Sequence, residues 1–217
     1  MMQYRLVIFD LDGTILYTLE DLKDSVNYAL KCHGYGERTI DEVRSFVGNG
    51  IRKLIERAVP SGIDESKIVE VHKSFTEYYE KHCADKTRPY EGIENVIKRV
   101  KDKGGLTAVV SNKADYGVQQ LCSSYFDGLF DVAVGERDGV RRKPYPDAVF
   151  EVLKKLNIDK SEAVYVGDSE VDLQTAHNAG LDCISVEWGF RDRECLVENG
   201  ATVIVATMQE LIEELDV

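Results

Sequence analysis

The sequence predicts an α/β fold, a Rossmann-like core of parallel strands interrupted just after its first strand by an all-helical insert. Three observations carry this reading. Leu6, Val7, Ile8 and Phe9 form a short continuous apolar run that ends at Asp10 and a glycine turn, the pattern of a strand covered on both faces. From Pro89 onward, apolar runs alternate with helical spacing, the signature of βαβ units. Between them, from about residue 15 to 87, the spacing is helical and no convincing strand stands out.

The insert reads as a set of amphipathic helices. Leu22, Val26, Ala29 and Leu30 make one apolar face behind a cap at Thr18. Thr39 to Glu42 has the spacing of a capping box. Ile51, Leu54, Ile55 and Ala58 form a stripe that stops at Pro60, and Ile68, Val71, Phe75, Tyr78 and Tyr79 form another. In the core, strands are expected at Leu106 to Val110, Val132 to Val134, Ala163 to Val166, Cys183 to Val186 and Thr202 to Val205. Helices are expected over about 92–103, 115–124, 146–156, 170–180 and 208–215. The domain division is therefore 1–14 with 88–217 for the core and 15–87 for the insert.

Composition narrows the function. With 217 residues, 43% hydrophobic and 30% charged, the chain is an ordinary globular protein rather than a disordered one. Its formal charge of -12 repels polyanions, which argues against nucleic acid and anionic membranes as partners. No apolar run approaches the ~18 residues of a membrane span, and Met1 to Asp10 lacks a leader-like core; a cytoplasmic protein is expected. Cys32, Cys83, Cys122, Cys183 and Cys195 are scattered without a Cys-x-x-Cys pair and read as reduced, mostly buried thiols. His33, His72, His82 and His177 show no metal-ligand spacing and no motif pairing with a nucleophilic Ser or Cys.

The chemistry gathers at strand ends. In parallel sheets, ligands bind beyond the carboxyl ends of the strands, and there the chain places Asp10 and Asp12, then Ser111-Asn112-Lys113, Arg141-Arg142-Lys143-Pro144, and Gly167-Asp168 with Asp172. Each piece alone has a bland reading as a turn, a cap or a solvated face. Their position after different strands of one predicted sheet points instead to a common site.

Together these pieces resemble the motif set of the haloacid dehalogenase superfamily phosphatases over essentially the whole chain. Asp10-x-Asp12-Gly13-Thr14 is similar to the first motif, Ser111 to the second, Lys143 to the third, and Gly167-Asp168 with Asp172 to the fourth. The resemblance implies that Asp10 is the nucleophile that takes up the phosphoryl group, Asp12 the general acid and base, and the helical insert a cap. It also implies that Thr14, Ser111, Asn112 and Lys143 hold the substrate.

Four carboxylates converging on a phosphate dianion, with Lys143 as the one positive charge, require a divalent cation, and oxygen donors suit Mg²⁺. By resemblance the ion belongs to Asp10, Asp168 and the carbonyl of Asp12, with Asp172 direct or one water away. Val47-Gly48-Asn49-Gly50-Ile51-Arg52-Lys53-Leu54 is similar to the cap segment of phosphoglycolate phosphatases. Its helix amino terminus, Gly48, Asn49 and Gly50, or Arg52 or Lys53, is expected to hold the anionic far end of a small phosphorylated metabolite. The expectation is a monomeric or homodimeric phosphatase for 2-phosphoglycolate. Pyrophosphatase, sugar phosphatase and phosphoglucomutase share the core motifs. A non-catalytic binding protein is disfavoured by the complete set of Asp10, Asp12, Ser111, Lys143 and Asp168.

Overall fold

The protein is described here by a computed structural model that covers residues 3–217. Two compact units emerge, Met1–Leu16 with Pro89–Val217, and Tyr17–Arg88. Strand β1 (Leu6–Phe9) leads to a short β2 (Leu16–Tyr17) and then to helices α1 (Leu19–Cys32), α2 (Ile40–Phe46), α3 (Gly50–Ala58) and α4 (Glu65–His82). The chain continues through β3 (Arg88–Pro89), α5 (Ile93–Asp102), β4 (Leu106–Ala114), α6 (Asp115–Tyr125), β5 (Val132–Glu136) and α7 (Asp147–Leu156). It ends with β6 (Ala163–Gly167), α8 (Glu170–Ala179), β7 (Asp182–Val186), α9 (Arg193–Glu198), β8 (Val203–Val205) and α10 (Met208–Glu214).

Six parallel strands form the sheet in the order β5-β4-β1-β6-β7-β8. The apolar run of β1 explains its central place. Val7 and Phe9 pack into one core layer with Val109, Val166 and helices α5, α6 and α10. Leu6 and Ile8 pack into the opposite layer with Ala108, Val110, Tyr165 and helices α7 and α8. All four are at most 1% exposed, and side chains of this size contribute roughly 1.5–3 kcal/mol each when buried. Phe9 lies opposite Val109 on one side and Val166 on the other, and the Asp10 amide still donates to the Val166 carbonyl at 2.9 Å. This register brings the ends of β1, β4 and β6 to one edge.

The sequence reading needs several corrections. β4 runs on through Ser111-Asn112-Lys113 to Ala114, where a loop was expected, because its pairing with β5 resumes at Ala114 and Glu136 after a register shift. Gly135 permits this kink, since a Cβ there would lie 2.5 Å from the Lys113 carbonyl oxygen and 2.6 Å from Asp115 Cα. The insert region also contains a strand, β2, which pairs with β3; two residues give no readable alternation. Helix α9 was not anticipated, although Asp192 caps it by accepting from the Cys195 amide at 2.9 Å. Thr18 sits at the N-cap of α1 without a side-chain capping bond, whereas Thr39 and Glu42 form the expected capping box. The five cysteines are free, but only Cys83 and Cys122 are buried and Cys32 is exposed. Among the described residues no helix is long and apolar enough to cross a membrane.

In the helical unit, α1 and α4 pack through Leu22, Val26, Ala29, Val71, Phe75 and Tyr79. A buried carboxylate fixes the exit of the chain. Asp21 accepts from the Lys86 amide with both oxygens at 3.0 Å and from the Thr87 amide at 2.8 Å, while nearby Asp24 holds the Lys86 ammonium at 2.6 Å near the surface. Asp21→Ala leaves two amide donors short of an acceptor and should lower unfolding free energy by about 2–3 kcal/mol. Asp24→Ala should cost less than about 1 kcal/mol. Denaturant midpoints of the two variants check the contrast.

Candidate active site

Asp10, immediately after β1, Asp168, after β6, and Asp172, in the first turn of α8, offer carboxylate oxygens that all lie within 4.8 Å of one another. The Lys143 ammonium stands among them, 2.9 Å from Asp10 Oδ1 and 2.7 Å from Asp172 Oδ1, and its side chain is only 3% exposed. Tyr165 fixes this ammonium from behind, with its hydroxyl 3.0 Å from Lys143 Nζ while donating to the Val110 carbonyl at 2.9 Å. Sequence reasoning missed Tyr165; the available signal was a tyrosine in an otherwise aliphatic buried strand. The other oxygen of Asp172 accepts from the Ser169 amide at 3.1 Å and hydroxyl at 2.6 Å, so this carboxylate also caps α8.

Asp168 is held in a fitted cradle. Thr14 Oγ1 donates to Oδ1 at 3.1 Å and the Phe190 amide to Oδ2 at 2.7 Å. Gly13, at φ +88°, and Gly189 flank it so closely that a Cβ at either position would come within 2.4 Å of Asp168 Oδ2. Trp188 Nε1 in turn donates to the Thr14 carbonyl at 3.1 Å. The expected substrate contact Thr14 is therefore engaged with Asp168. The turn from Trp188 to Phe190 was not anticipated, because backbone amides and an absent side chain leave little mark in a sequence.

Ser111 and Asn112 lie buried at the end of β4. Ser111 Oγ accepts from the Lys113 amide at 3.2 Å, and Asn112 Nδ2 donates to the Lys143 carbonyl at 3.1 Å. The site also has a second ammonium, where only Lys143 was expected. Lys113 Nζ is 3.2 Å from Asp12 Oδ1, with 5% of the lysine side chain exposed. In the sequence Lys113 looked like part of a polar turn; the extended β4 turns it inward.

Charge and burial oppose each other here. Burial pushes the Asp10 carboxyl up to about 7, aided by the Asp172 and Asp12 charges and restrained by Lys143. Asp168 is raised well above the carboxylate range by burial first and then by Asp172 and Asp10. Burial works against the Lys143 charge, yet Asp10 and Asp172 together hold its pKa well above the usual lysine value. Asp10 Oδ1 has no aligned hydrogen bond despite the nearby ammonium. Buried carboxylates with an oxygen left unbonded and hard donors in close reach fit a divalent cation.

In the helical unit, Gly48 and Gly50 adopt φ +112° and +81° around Asn49, the N-cap of α3. Arg57 closes this turn, donating to Asn49 Oδ1 at 2.7 Å and to the Phe46 carbonyl at 2.6 Å. Arg52 pairs with Glu56 at 2.9 Å and with Glu65, and Lys53 with Glu56 at 2.6 Å. Both cations suggested for an anionic substrate thus have glutamate partners within the unit. His33, unpaired by any motif, does approach Ser74 Oγ at 3.0 Å, with Glu70 3.9 Å from its other nitrogen. Ser74 lies inside α4, where the amides an oxyanion would need are engaged in the helix.

Residues 7–186 match the model of the haloacid dehalogenase-like hydrolases. A phosphoglycolate phosphatase of Mesorhizobium japonicum is 35% identical over 201 residues, 88% of this chain and 86% of its own length. One from Pseudomonas fluorescens is 32% identical over 213 residues, 96% of this chain and 78% of its own. Among solved structures, a Lactobacillus delbrueckii protein provisionally named a phosphoglycolate phosphatase superposes with a TM-score of 0.95 at 38% identity, covering 99% of both chains. CbbY of Rhodobacter sphaeroides, crystallised with phosphate, gives 0.79 at 26% identity over 99% of this chain and 100% of its own.

The raised Asp10 value sets a pH test. Its folded carboxyl, near 7 against an ordinary 3.8, keeps a proton that the unfolded chain releases. That contribution is complete below pH ~4 and is lost as pH rises toward ~7, at up to ~1.4 kcal/mol per pH unit. Metal-free protein should therefore show a falling Tm across this interval, and a saturating divalent cation should raise Tm more at pH 8 than at pH 5. Asp10→Asn should flatten the slope.

Proposed function

As the chain belongs to the haloacid dehalogenase-like hydrolases, we propose that it is a phosphatase that hydrolyses 2-phosphoglycolate, with Asp10 as nucleophile and Mg²⁺ as cofactor. The observation that carries this is the juxtaposition of Asp10, Asp168 and Asp172 around Lys143 at one sheet edge. Relatives named for phosphoglycolate at 32–35% identity support the substrate.

Asp10 Oδ attacks phosphorus in line with the ester oxygen, and the P–O ester bond breaks as the Asp10–phosphoryl bond forms. Asp12 gives its proton to the leaving alkoxide. It then takes a proton from the water that hydrolyses the aspartyl-phosphate, releasing phosphate and restoring Asp10. Lys143, 2.9 Å from Asp10 Oδ1, favours the anionic form of Asp10 against its burial and faces the equatorial oxygens, and Ser111 with the amides around Asp12 and Asn112 completes the phosphoryl pocket. Mg²⁺ bound by Asp10, Asp168 and the Asp12 carbonyl would neutralise charge on the transferring group. Asp172, with both oxygens already bonded, suits an orienting role one water away.

Magnitudes assign weight to these parts. Phosphate-monoester hydrolysis is accelerated by up to ~10²¹, roughly 28 kcal/mol, whereas a positioned acid or base supplies ~10²–10⁴. Asp12 is therefore a minority contributor, and in-line placement with the electrostatic field of cation and lysine must supply most of the rest. Gly48, Asn49 and Gly50 are the proposed contacts for the non-phosphate part of the ester. The free thiols fit a cytoplasmic enzyme acting on a small metabolite.

A panel of phosphate esters assayed with Mg²⁺ tests the reading. Phosphoglycolate should lead the panel, and Asp10→Asn should abolish turnover of every ester. Asp12→Asn should lose ~10²–10⁴ in kcat on alkyl esters and much less on an aryl phosphate, whose leaving group needs little protonation. Equal losses would remove Asp12 from the acid role, and no turnover of any ester by the native protein would refute the enzyme.

A further inference from the structure

Lys113 is a buried cation that no step above requires. Its place is nevertheless built with care. It lies buried where the register of β4 against β5 shifts, and Gly135 admits the kink, since a Cβ would collide with the Lys113 carbonyl. The aliphatic stem packs along Gly117, in the first turn of α6, where a Cβ would lie 3.4 Å from Lys113 Cε and 3.6 Å from Cδ, in ordinary van der Waals contact. The stem ends with Nζ 3.2 Å from Asp12 Oδ1. Carrying an ammonium into so closed a place is costly unless it meets a negative charge.

We propose that Lys113 is a specificity-determining residue that recognises a carboxylate on the leaving half of the substrate, one methylene from the ester oxygen. The inference rests on the phosphatase reading, with Asp12 protonating that oxygen. Asp12 meets the leaving oxygen within hydrogen-bond reach, and Lys113 touches the same carboxyl group, so a carboxylate a single carbon beyond the ester oxygen falls within ion-pair reach of Nζ. The other cations stand on carboxylates other than Asp12. Lys143 faces Asp10 and Asp172. Arg191 is held by Glu170 through two guanidinium nitrogens at 2.8 and 3.2 Å, and Arg52 and Lys53 are paired with glutamates. Four carboxylates in the site face two ammonium groups, and a divalent cation would complete the balance, so a carboxylate on the substrate enters without a surplus of like charge.

The test compares 2-phosphoglycolate with its neutral amide, 2-phosphoglycolamide, which keeps the phosphoryl group and the methylene. Comparing their kcat/KM ratio across variants cancels any intrinsic difference between the leaving groups. The native enzyme should prefer the acid. Lys113→Met should cut that preference by roughly 10- to 100-fold, the worth of one charge-assisted hydrogen bond, mainly through KM for the acid. Lys113→Arg, which keeps the charge, should retain most of it. Should thermal unfolding show that Lys113→Met is not folded, Lys113→Gln decides by the same ratio. Equal losses on both esters would mean that Lys113 acts only on Asp12 and would overturn the proposal. So would a native enzyme that hydrolyses both esters alike, which leaves the phosphatase reading intact; failure to hydrolyse either ester or any other phosphate would instead remove the reading itself.

Discussion

An ammonium with 3% of its side chain exposed, in contact with two buried carboxylates, is the constraint around which the core is arranged. Removing such charges from water costs several kcal/mol per ion, and only close opposite charges and aligned hydrogen bonds offset it. Lys143 has Asp10, Asp172 and the Tyr165 hydroxyl, and Tyr165 is braced on the Val110 carbonyl. The carboxylates are less well served. Three of them crowd together, and burial first, then the neighbouring carboxylates, push Asp10 and Asp168 upward. A cluster so strained is poor as packing and apt for binding a cation and an anionic phosphoryl group.

The glycines follow from the same crowding. Gly13 and Gly189 let two turns close on Asp168, and Gly167 makes room for Asp172, whose Cβ would lie 2.3 Å from a Cβ at that position. Gly135 leaves room for the Lys113 carbonyl and the Asp115 backbone. Gly13, Gly189 and Gly167 each leave out a methyl group where a buried carboxylate is held. Such positioning is the larger part of what phosphoryl transfer asks of a protein.

The helical unit is organised differently. Its cations near the Gly48–Gly50 turn are matched by glutamates or by the turn itself, and its exit is fixed by Asp21. A surface whose charges are already satisfied can select a ligand through amides and shape but brings little net positive charge.

Much of this was legible in the sequence. The apolar run of β1, the βαβ rhythm and the acids after the strands depend on local periodicity and on residues whose chemistry has few other uses at a strand end, so Asp10, Asp12, Lys143, Asp168 and Asp172 could be named from their types and order. Short elements such as β2 and β3 could not, as two residues show no period, and Tyr165, Gly189 and the Phe190 amide carry no motif of their own. Lys113 is the sharpest case: the sequence placed it beside Ser111 and Asn112 but left its direction open. That direction appears only in the fold, where β4 continues past a register shift against β5, Gly135 leaves room for the Lys113 carbonyl, and the lysine ends against Asp12. Side-chain types and their order are written in the chain, whereas the direction of a side chain and the burial of its charge depend on neighbours brought together by the fold.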